Sequence, residues 1–221
     1  MPMMTVRTLS KAVAALKEAV SAFKSPIVTL IAKERPDPYR VLISCLLSLR
    51  TKDATTAQAS SRLFRLAETP REMLGLPLEK IEKTIYPVGF YRVKARVLHS
   101  VSKDILSRFG GEVPSTLEEL LSLKGVGRKT GNLVLTLGFG KPGICVDIHV
   151  HRISNRLGFV KTGSPDETEF ALRKKLPGRF WIEYNNILVA FGQNVCLPVS
   201  PRCSVCPVNR LCQKAGVTRS R

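Results

Sequence analysis

Several things are missing from this chain. Its 221 residues hold no uninterrupted apolar stretch of the roughly 18 to 20 residues that a membrane-crossing helix needs. The opening MPMMTVRTLSKAVAALKEAV lacks the apolar block and small-residue cleavage site of a secretory signal. The expectation is a cytoplasmic chain with no membrane partner, in which structural disulfides are disfavoured. No alternating apolar–polar segment and no hairpin dipeptide is present, which leaves no basis for a sheet. Repeats and low-complexity tracts are absent too. Acidic residues are scarce: 17 Asp+Glu face 35 Lys+Arg, for a net charge of +18. Such a surplus points to a polyanionic partner, nucleic acid first and an acidic membrane surface second. A solubilised or heat-adapted surface is the plain alternative.

The positive charge is clustered. Lys83, Arg92, Lys94, Arg96 and Lys103 follow one another with no intervening acid, and so do Arg202, Arg210, Lys214, Arg219 and Arg221 beyond Glu183. Clustering favours a directed electrostatic footprint over general solvation.

The apolar residues, 44% of the chain, are enough for a packed core, and their spacing is helical. Leu9, Val13, Leu16, Val20 and Phe23 step by four and three. PYRVLISCLLSL, opened by Pro38, is apolar nearly all round, as a helix at the centre of a bundle would be. Asp53 is placed to cap the segment that follows it. Pro77 and Pro87 bracket a short helix, and Val93, Val97 and Val101 form one stripe of the next. Thr116 and Glu119 have capping-box spacing. Val146, Val150, Ile153 and Leu157 predict a helix soon after Gly143. Ser164-Pro165 opens another to about Lys175, and Trp181, Tyr184, Leu188 and Phe191 mark the last. The fold class is all-α.

Chemistry has three candidate locations. The first is LSLKGVGRKTGNLVL, a helix, a Gly-Val-Gly turn and a second helix through Val126, Leu133, Val134 and Leu137. Glycines permit positive φ and close backbone approach. A helix start offers N–H groups to an anion, and Lys124 and Arg128 would help Gly125, Val126 and Gly127 grip a phosphate. A nucleotide-binding P-loop is excluded: Arg128 stands before Lys129, the distal glycine is missing, and a helix precedes the turn. A purely structural turn is the alternative. The second is ICVDIHVHRISNRL, where Asp147 falls at a helix N-cap position. His149 and His151, two apart, face different sides of that helix and are read as solvated or hydrogen-bonded rather than as metal ligands. The third is CLPVSPRCSVCPVNRLC. Cys196, Cys203, Cys206 and Cys212 lie six, two and five residues apart, a pattern that holds a metal rather than disulfides and fits either tetrahedral zinc or an iron–sulfur cluster. Cys45 and Cys145 read as core residues.

Together these motifs resemble the endonuclease III family of helix–hairpin–helix DNA glycosylases, from about Pro38 to Cys212. LKGVGRKTGNLVL is similar to that family's hairpin and lysine, VDIHVHR to its aspartate segment, and the cysteine spacing to its [4Fe-4S] loop. The resemblance implies a six-helix barrel domain at residues 31–141. It implies a second helical domain from residues 1–30 and 142–221 that ends in the cluster loop. Lys129 would be the nucleophile that attacks C1′ of a damaged nucleotide, forms a Schiff base and cleaves the strand by β-elimination. Asp147 would stabilise positive charge on the sugar and move protons. Arg50 and Phe90 match the wedge positions that fill the gap left by an extruded base. The partner would be duplex DNA carrying oxidised pyrimidines or abasic sites, bound by a monomer associated with the nucleoid. Three positions depart from the family's habit: Arg50 replaces glutamine, Ile148 threonine and Lys124 proline. The other readings are a monofunctional mismatch glycosylase of the same superfamily, whose members generally lack the lysine, and a non-catalytic DNA-binding module with structural zinc. The adenine-removing branch carries a further C-terminal domain for which the nine residues after Cys212 leave no room.

Overall fold

The computed structural model describes residues 3–221, and the described residues are helical with no strand among them. In chain order the α-helices are α1 (Val6–Val20), α2 (Ile27–Glu34), α3 (Pro38–Ser48), α4 (Asp53–Phe64), α5 (Pro70–Gly75) and α6 (Leu78–Ile85). They continue with α7 (Tyr91–Arg108), α8 (Leu117–Leu121), α9 (Arg128–Leu133), α10 (Ile148–Arg156), α11 (Pro165–Lys175) and α12 (Trp181–Asn194). A π-helical turn, Val134–Gly138, follows α9 without a break. No helix among the described residues is long and apolar enough to cross a membrane. The chain forms two compact units, Ile27–Gly143 and the pair of segments Met1–Pro26 and Ile144–Arg221.

In the unit Ile27–Gly143, α3 is the hub. Its residues Val41 to Leu47 are buried without interruption because α2, α4, α7, α9 and the π-turn all pack on it. Burial of each such Leu or Ile side chain contributes about 1.5–3 kcal/mol. Pro38 sits in the first turn, and the Asp37 carboxylate accepts the Arg40 N–H at 2.9 Å, so both helix-start signals act locally. Asp53 does not cap the helix that follows it. It stands inside the first turn of α4, and its Oδ2 instead accepts the Ile27 N–H at 3.1 Å, closing the start of α2. The stripe on α7 also differs from expectation. Val93 is 56% exposed, whereas Lys94, Ala95, Leu98, Val101, Ser102 and Ile105 are buried. The buried Ser102 hydroxyl bonds Tyr39 Oη at 2.7 Å, which satisfies a polar pair inside the core.

The second unit is built around α12, with α1 and α10 packed against it. Leu9, Leu16, Ile153, Phe159, Tyr184, Leu188 and Phe191 are buried in its core, and Tyr184 Oη meets Ser154 Oγ at 3.1 Å. Thr5 caps α1 and Ser164 caps α11 through their hydroxyls. The helix expected soon after Gly143 begins only at Ile148. Residues 144–146 are buried but have no regular structure, so Val146 shares the helical apolar spacing without being in the helix.

Candidate functional site

The hairpin turn lies in the unit Ile27–Gly143. Thr116 Oγ1 accepts the Glu119 N–H at 3.3 Å and its hydroxyl bonds Glu119 Oε2 at 2.6 Å, which starts α8. Leu120, Leu123 and Val126 are buried, so the turn is pinned to the core by a side chain at its tip. Val126 belongs to that turn and not to the second helix, which starts at Arg128. The two glycines have different reasons to be there. Gly125 has φ +81°, and a Cβ would come within 2.9 Å of Val97 Cγ1. Gly127 has an ordinary φ of −96°, with nothing near the place a Cβ would take. The expectation of positive φ therefore holds for Gly125 alone, and Gly127 leaves the backbone open to an approaching group. Gly131 lets α8 and α9 pack closely, since its Cβ would lie 2.9 Å from Leu117 Cδ1.

Lys124, Gly125 and Gly127 are exposed, and Arg128 and Lys129 are half-buried. Lys129 is the second residue of α9. Its charge reaches the Cys45 thiol on α3: burial pushes that thiol up to about 12, and the Lys129 ammonium works against the rise. Cys45 itself is 1% exposed and behaves as the core residue its surroundings suggest.

Arg50 and Phe90 come together in the same unit. Both are exposed, and the Arg50 guanidinium stands 5.8 Å from the centre of the Phe90 ring. Both also have left-handed backbones, φ 52° and 59°, which is uncommon for residues with a Cβ. Phe90 is 61% exposed and is no packed helix-start aromatic, although it does occupy the N-cap position of α7.

Asp147 lies in the other unit. Its Oδ1 accepts the N–H groups of His149 and Val150 at 2.8 and 2.9 Å, the expected N-cap of α10; Oδ2 takes part in neither bond. His151 Nδ1 bonds Thr168 Oγ1 at 2.7 Å and His149 Nδ1 bonds Arg152 at 3.1 Å, so both rings are held by hydrogen bonds. Ile148, beside the aspartate, is 65% exposed.

Cys196, Cys203, Cys206 and Cys212 line one cavity with Ile153, Phe191 and Val195 in its wall. None is in a disulfide. Burial pushes the Cys206 thiol up to about 11 and raises that of Cys212. N–H groups nevertheless face the sulfurs: Arg156 Nη1 donates to Cys196 Sγ at 3.4 Å and the Lys214 amide to Cys212 Sγ at 3.3 Å. Among the described residues no three His, Cys, Asp or Glu side chains are grouped for a single metal ion. The mouth of the loop is tied down by two arginines of α10. Arg156 donates to Leu197 O and Pro198 O, both at 2.7 Å, and Arg152 to Cys196 O at 2.8 Å. Sequence reasoning missed both, although their four-residue spacing puts them on one helix face. It also missed Lys94, counted with a basic surface run and found buried.

Comparisons with known proteins bear on the family. Residues 43–178 match the family of HhH-GPD superfamily base excision DNA repair proteins. Endonuclease III of Thermotoga maritima is 49% identical over 177 residues, which is 80% of this chain and 83% of that one. The solved structure of a trapped endonuclease III–DNA covalent intermediate superposes with a TM-score of 0.85 at 34% identity, over 96% of this chain and 97% of that chain. A thermostable thymine-DNA glycosylase gives a TM-score of 0.74 at 25% identity, over 91% and 96%. With its helix–hairpin–helix turn and cysteine loop, the chain belongs to the HhH-GPD superfamily of base excision DNA repair proteins.

Proposed function

We propose that the protein is a bifunctional DNA glycosylase and AP lyase that removes oxidised pyrimidines from duplex DNA. The observation that carries the reading is Lys129, an amine in the first turn of the helix that follows an open glycine hairpin. The Gly125–Gly127 backbone with Lys124 and Arg128 takes one phosphate of the strand, and this delivers the sugar. Arg50 and Phe90 enter the stack where the lesion leaves it. Base–aromatic stacking of about 1–3 kcal/mol offsets part of the unstacking cost, which is least for a damaged base.

The unprotonated Lys129 amine attacks C1′ as the bond to the base breaks, and the base departs with the electron pair and takes up a proton. The positive charge that gathers on the sugar is stabilised by Asp147, whose N-cap bonds to Oδ1 fix the carboxylate without engaging Oδ2 in them. Loss of a proton from the nitrogen and opening of the sugar give the Schiff base. Removal of a proton from C2′ then expels the 3′ phosphate, and water releases the lysine. Positioned proton transfer of this kind contributes about 100- to 10,000-fold.

Cys196, Cys203, Cys206 and Cys212 would hold a [4Fe-4S] cluster: the four thiols line one cavity, N–H donors face two of the sulfurs, and such clusters are ligated by four cysteines. A zinc site would draw all four sulfurs to about 2.3 Å from one point. When bound, the cluster supplies a rigid scaffold for the loop that carries Arg202 and Arg210. The barrel domain of the proposed enzyme corresponds to residues 31–141, and the cluster domain to residues 1–30 and 142–221.

Borohydride trapping tests the reading. Wild-type protein is expected to form a covalent adduct with a thymine-glycol or abasic duplex, and Lys129→Gln is expected to form none. Full adduct in that variant sinks it. The likeness to a thymine-DNA glycosylase motivates the second reading, mismatch excision without lyase action. It predicts free abasic product from a G·T duplex and no adduct from wild-type protein.

A further inference from the structure

Lys94 is a buried cation with an unusual set of partners. It lies on the first turn of α7, 8% exposed, and all three N–H bonds of its ammonium are used. Nζ donates to Leu47 O at 2.7 Å, Leu49 O at 2.5 Å and Thr51 Oγ1 at 3.0 Å. The two carbonyls are at the end of α3, where helices leave acceptors without intrahelical partners, and a cation there also meets the negative end of the helix dipole. The segment it grips, Leu49 to Thr51, contains Arg50. Its own backbone N–H bonds Phe90 O at 2.9 Å.

The two turns are joined by more than this side chain. Thr51 Oγ1 accepts the Gly89 N–H at 3.2 Å while its hydroxyl faces Leu49 O at 3.3 Å. At Gly89 a Cβ would come 2.7 Å from Arg50 O, so glycine lets one turn press against the other. Arg50 and Phe90 both hold left-handed backbones, which residues with a Cβ keep only where the surroundings enforce them. The Lys94–Thr51–Gly89 connection is that enforcement. A cation serving only as a helix stop needs the carbonyls of α3. It has no need of a hydroxyl that also binds the neighbouring turn.

We propose that Lys94 is a positioning residue for extrusion of the lesion: acting through Thr51, it locks the Arg50 turn to the Phe90 turn so that the two exposed side chains enter DNA as one wedge. This rests on the proposed glycosylase reading, and on Arg50 and Phe90 being the residues that enter the duplex.

The test uses full-length Lys94→Met, Thr51→Val and Thr51→Ser proteins. Two reactions are compared: single-turnover excision from a thymine-glycol duplex, and borohydride adduct formation on an abasic duplex, where no base has to be extruded. Misplacing a positioned group by ~1 Å costs up to about 100-fold. Lys94→Met and Thr51→Val are therefore expected to slow excision about 10- to 100-fold. Adduct formation should stay within about 3-fold of wild type, because extrusion is easiest where nothing is stacked. Thr51→Ser, which keeps the hydroxyl, should restore excision. Amide hydrogen exchange at Gly89 should quicken at least 10-fold in Thr51→Val while the α3 core amides are unchanged. Equal loss in both reactions, or no loss in either, overturns the proposal. A wild-type protein that makes no abasic adduct refutes the lyase reading instead. The lock is then judged on Gly89 exchange, and an unchanged rate in Thr51→Val rejects it.

Discussion

The hairpin at Leu117–Gly138 and the cysteine loop at Cys196–Cys212 were both conspicuous as motifs, yet they are held in opposite ways. The hairpin is supported by its own chemistry. Thr116 caps α8, Leu120, Leu123 and Val126 are buried, and Gly125 takes a positive-φ backbone that residues with a Cβ rarely adopt. The cysteine loop has little of this. Its regular structure among the described residues is one 3-10 turn, Cys203–Val205. Besides short-range backbone bonds such as Cys206 N–H to Cys203 O and Cys212 N–H to Val208 O, it is tied to α10 by Arg152 and Arg156 at its mouth. The hairpin is thus held by its own residues, whereas the cysteine loop leans on arginines of α10.

Substitution of the proposed nucleophile breaks that comparison most strongly, because it separates chemistry from fold. Lys129→Gln should lower single-turnover excision by about three orders of magnitude or more. Leu120, Leu123 and Val126 pin the hairpin to the core, so the melting temperature should stay within about 2 °C, equivalent to at most about 1 kcal/mol in a chain of this size. A parallel collapse in calorimetry would make Lys129 a structural residue.

The next effect belongs to the loop. Cys203→Ser should abolish the visible charge-transfer absorption of the purified protein and destabilise the unit that contains α12. A loss of about 3 kcal/mol corresponds to a fall of roughly 6–12 °C in melting. Amide protection in α8 and α9 should persist. A colourless wild-type protein with stoichiometric zinc would replace the cluster by a structural ion.

A smaller change sharpens the hairpin side. Gly125→Ala forces a Cβ into φ +81° and toward Val97, at about 1–3 kcal/mol. Urea unfolding measures the cost. DNA affinity should fall while the log–log salt slope, roughly −0.9 per phosphate neutralised, drops by about one phosphate. Gly127→Ala meets no protein atom, so stability should hold and DNA binding alone should suffer.

The smallest effect is a pH dependence. Burial lowers Lys94 to about 8, from 10.5 in the unfolded chain. Between those values the unfolded state binds the proton and the native state releases it, so stability rises with pH through that window. Below about 8 both states are protonated and this contribution is constant. Wild-type stability should therefore increase from pH 8 to 10 relative to Lys94→Met in denaturant titrations, and a flat difference would mean that the three acceptors keep the ammonium charged throughout.

Several features that depend on neighbours in the chain were legible. Thr116, Ser164 and Asp147 cap their helices through N–H groups two or three residues on. α3 was recognisable as a central helix because its apolar residues cover every side. Long-range choices were not legible. Asp53 caps a helix 26 residues away because folding brings Ile27 to it. Lys94 is drawn inside by two carbonyls and a hydroxyl that no local pattern announces. Val146 keeps helical spacing in a segment without regular structure because burial, and not periodicity, sets its place. The π-turn after α9 brings Gly138 against Pro38, where a Cβ would lie 2.9 Å from Pro38 Cα, a contact visible only in three dimensions.

One measurement bears on the central assignment more directly than any variant. Wild-type protein reduced with borohydride on an abasic duplex can be digested with protease and nuclease, and the modified peptide sequenced by mass spectrometry. The sugar remnant is expected on Lys129 and on no other lysine. A remnant mapped to Lys94, Lys124 or the chain's amino terminus, with Lys129 unmodified, would contradict it.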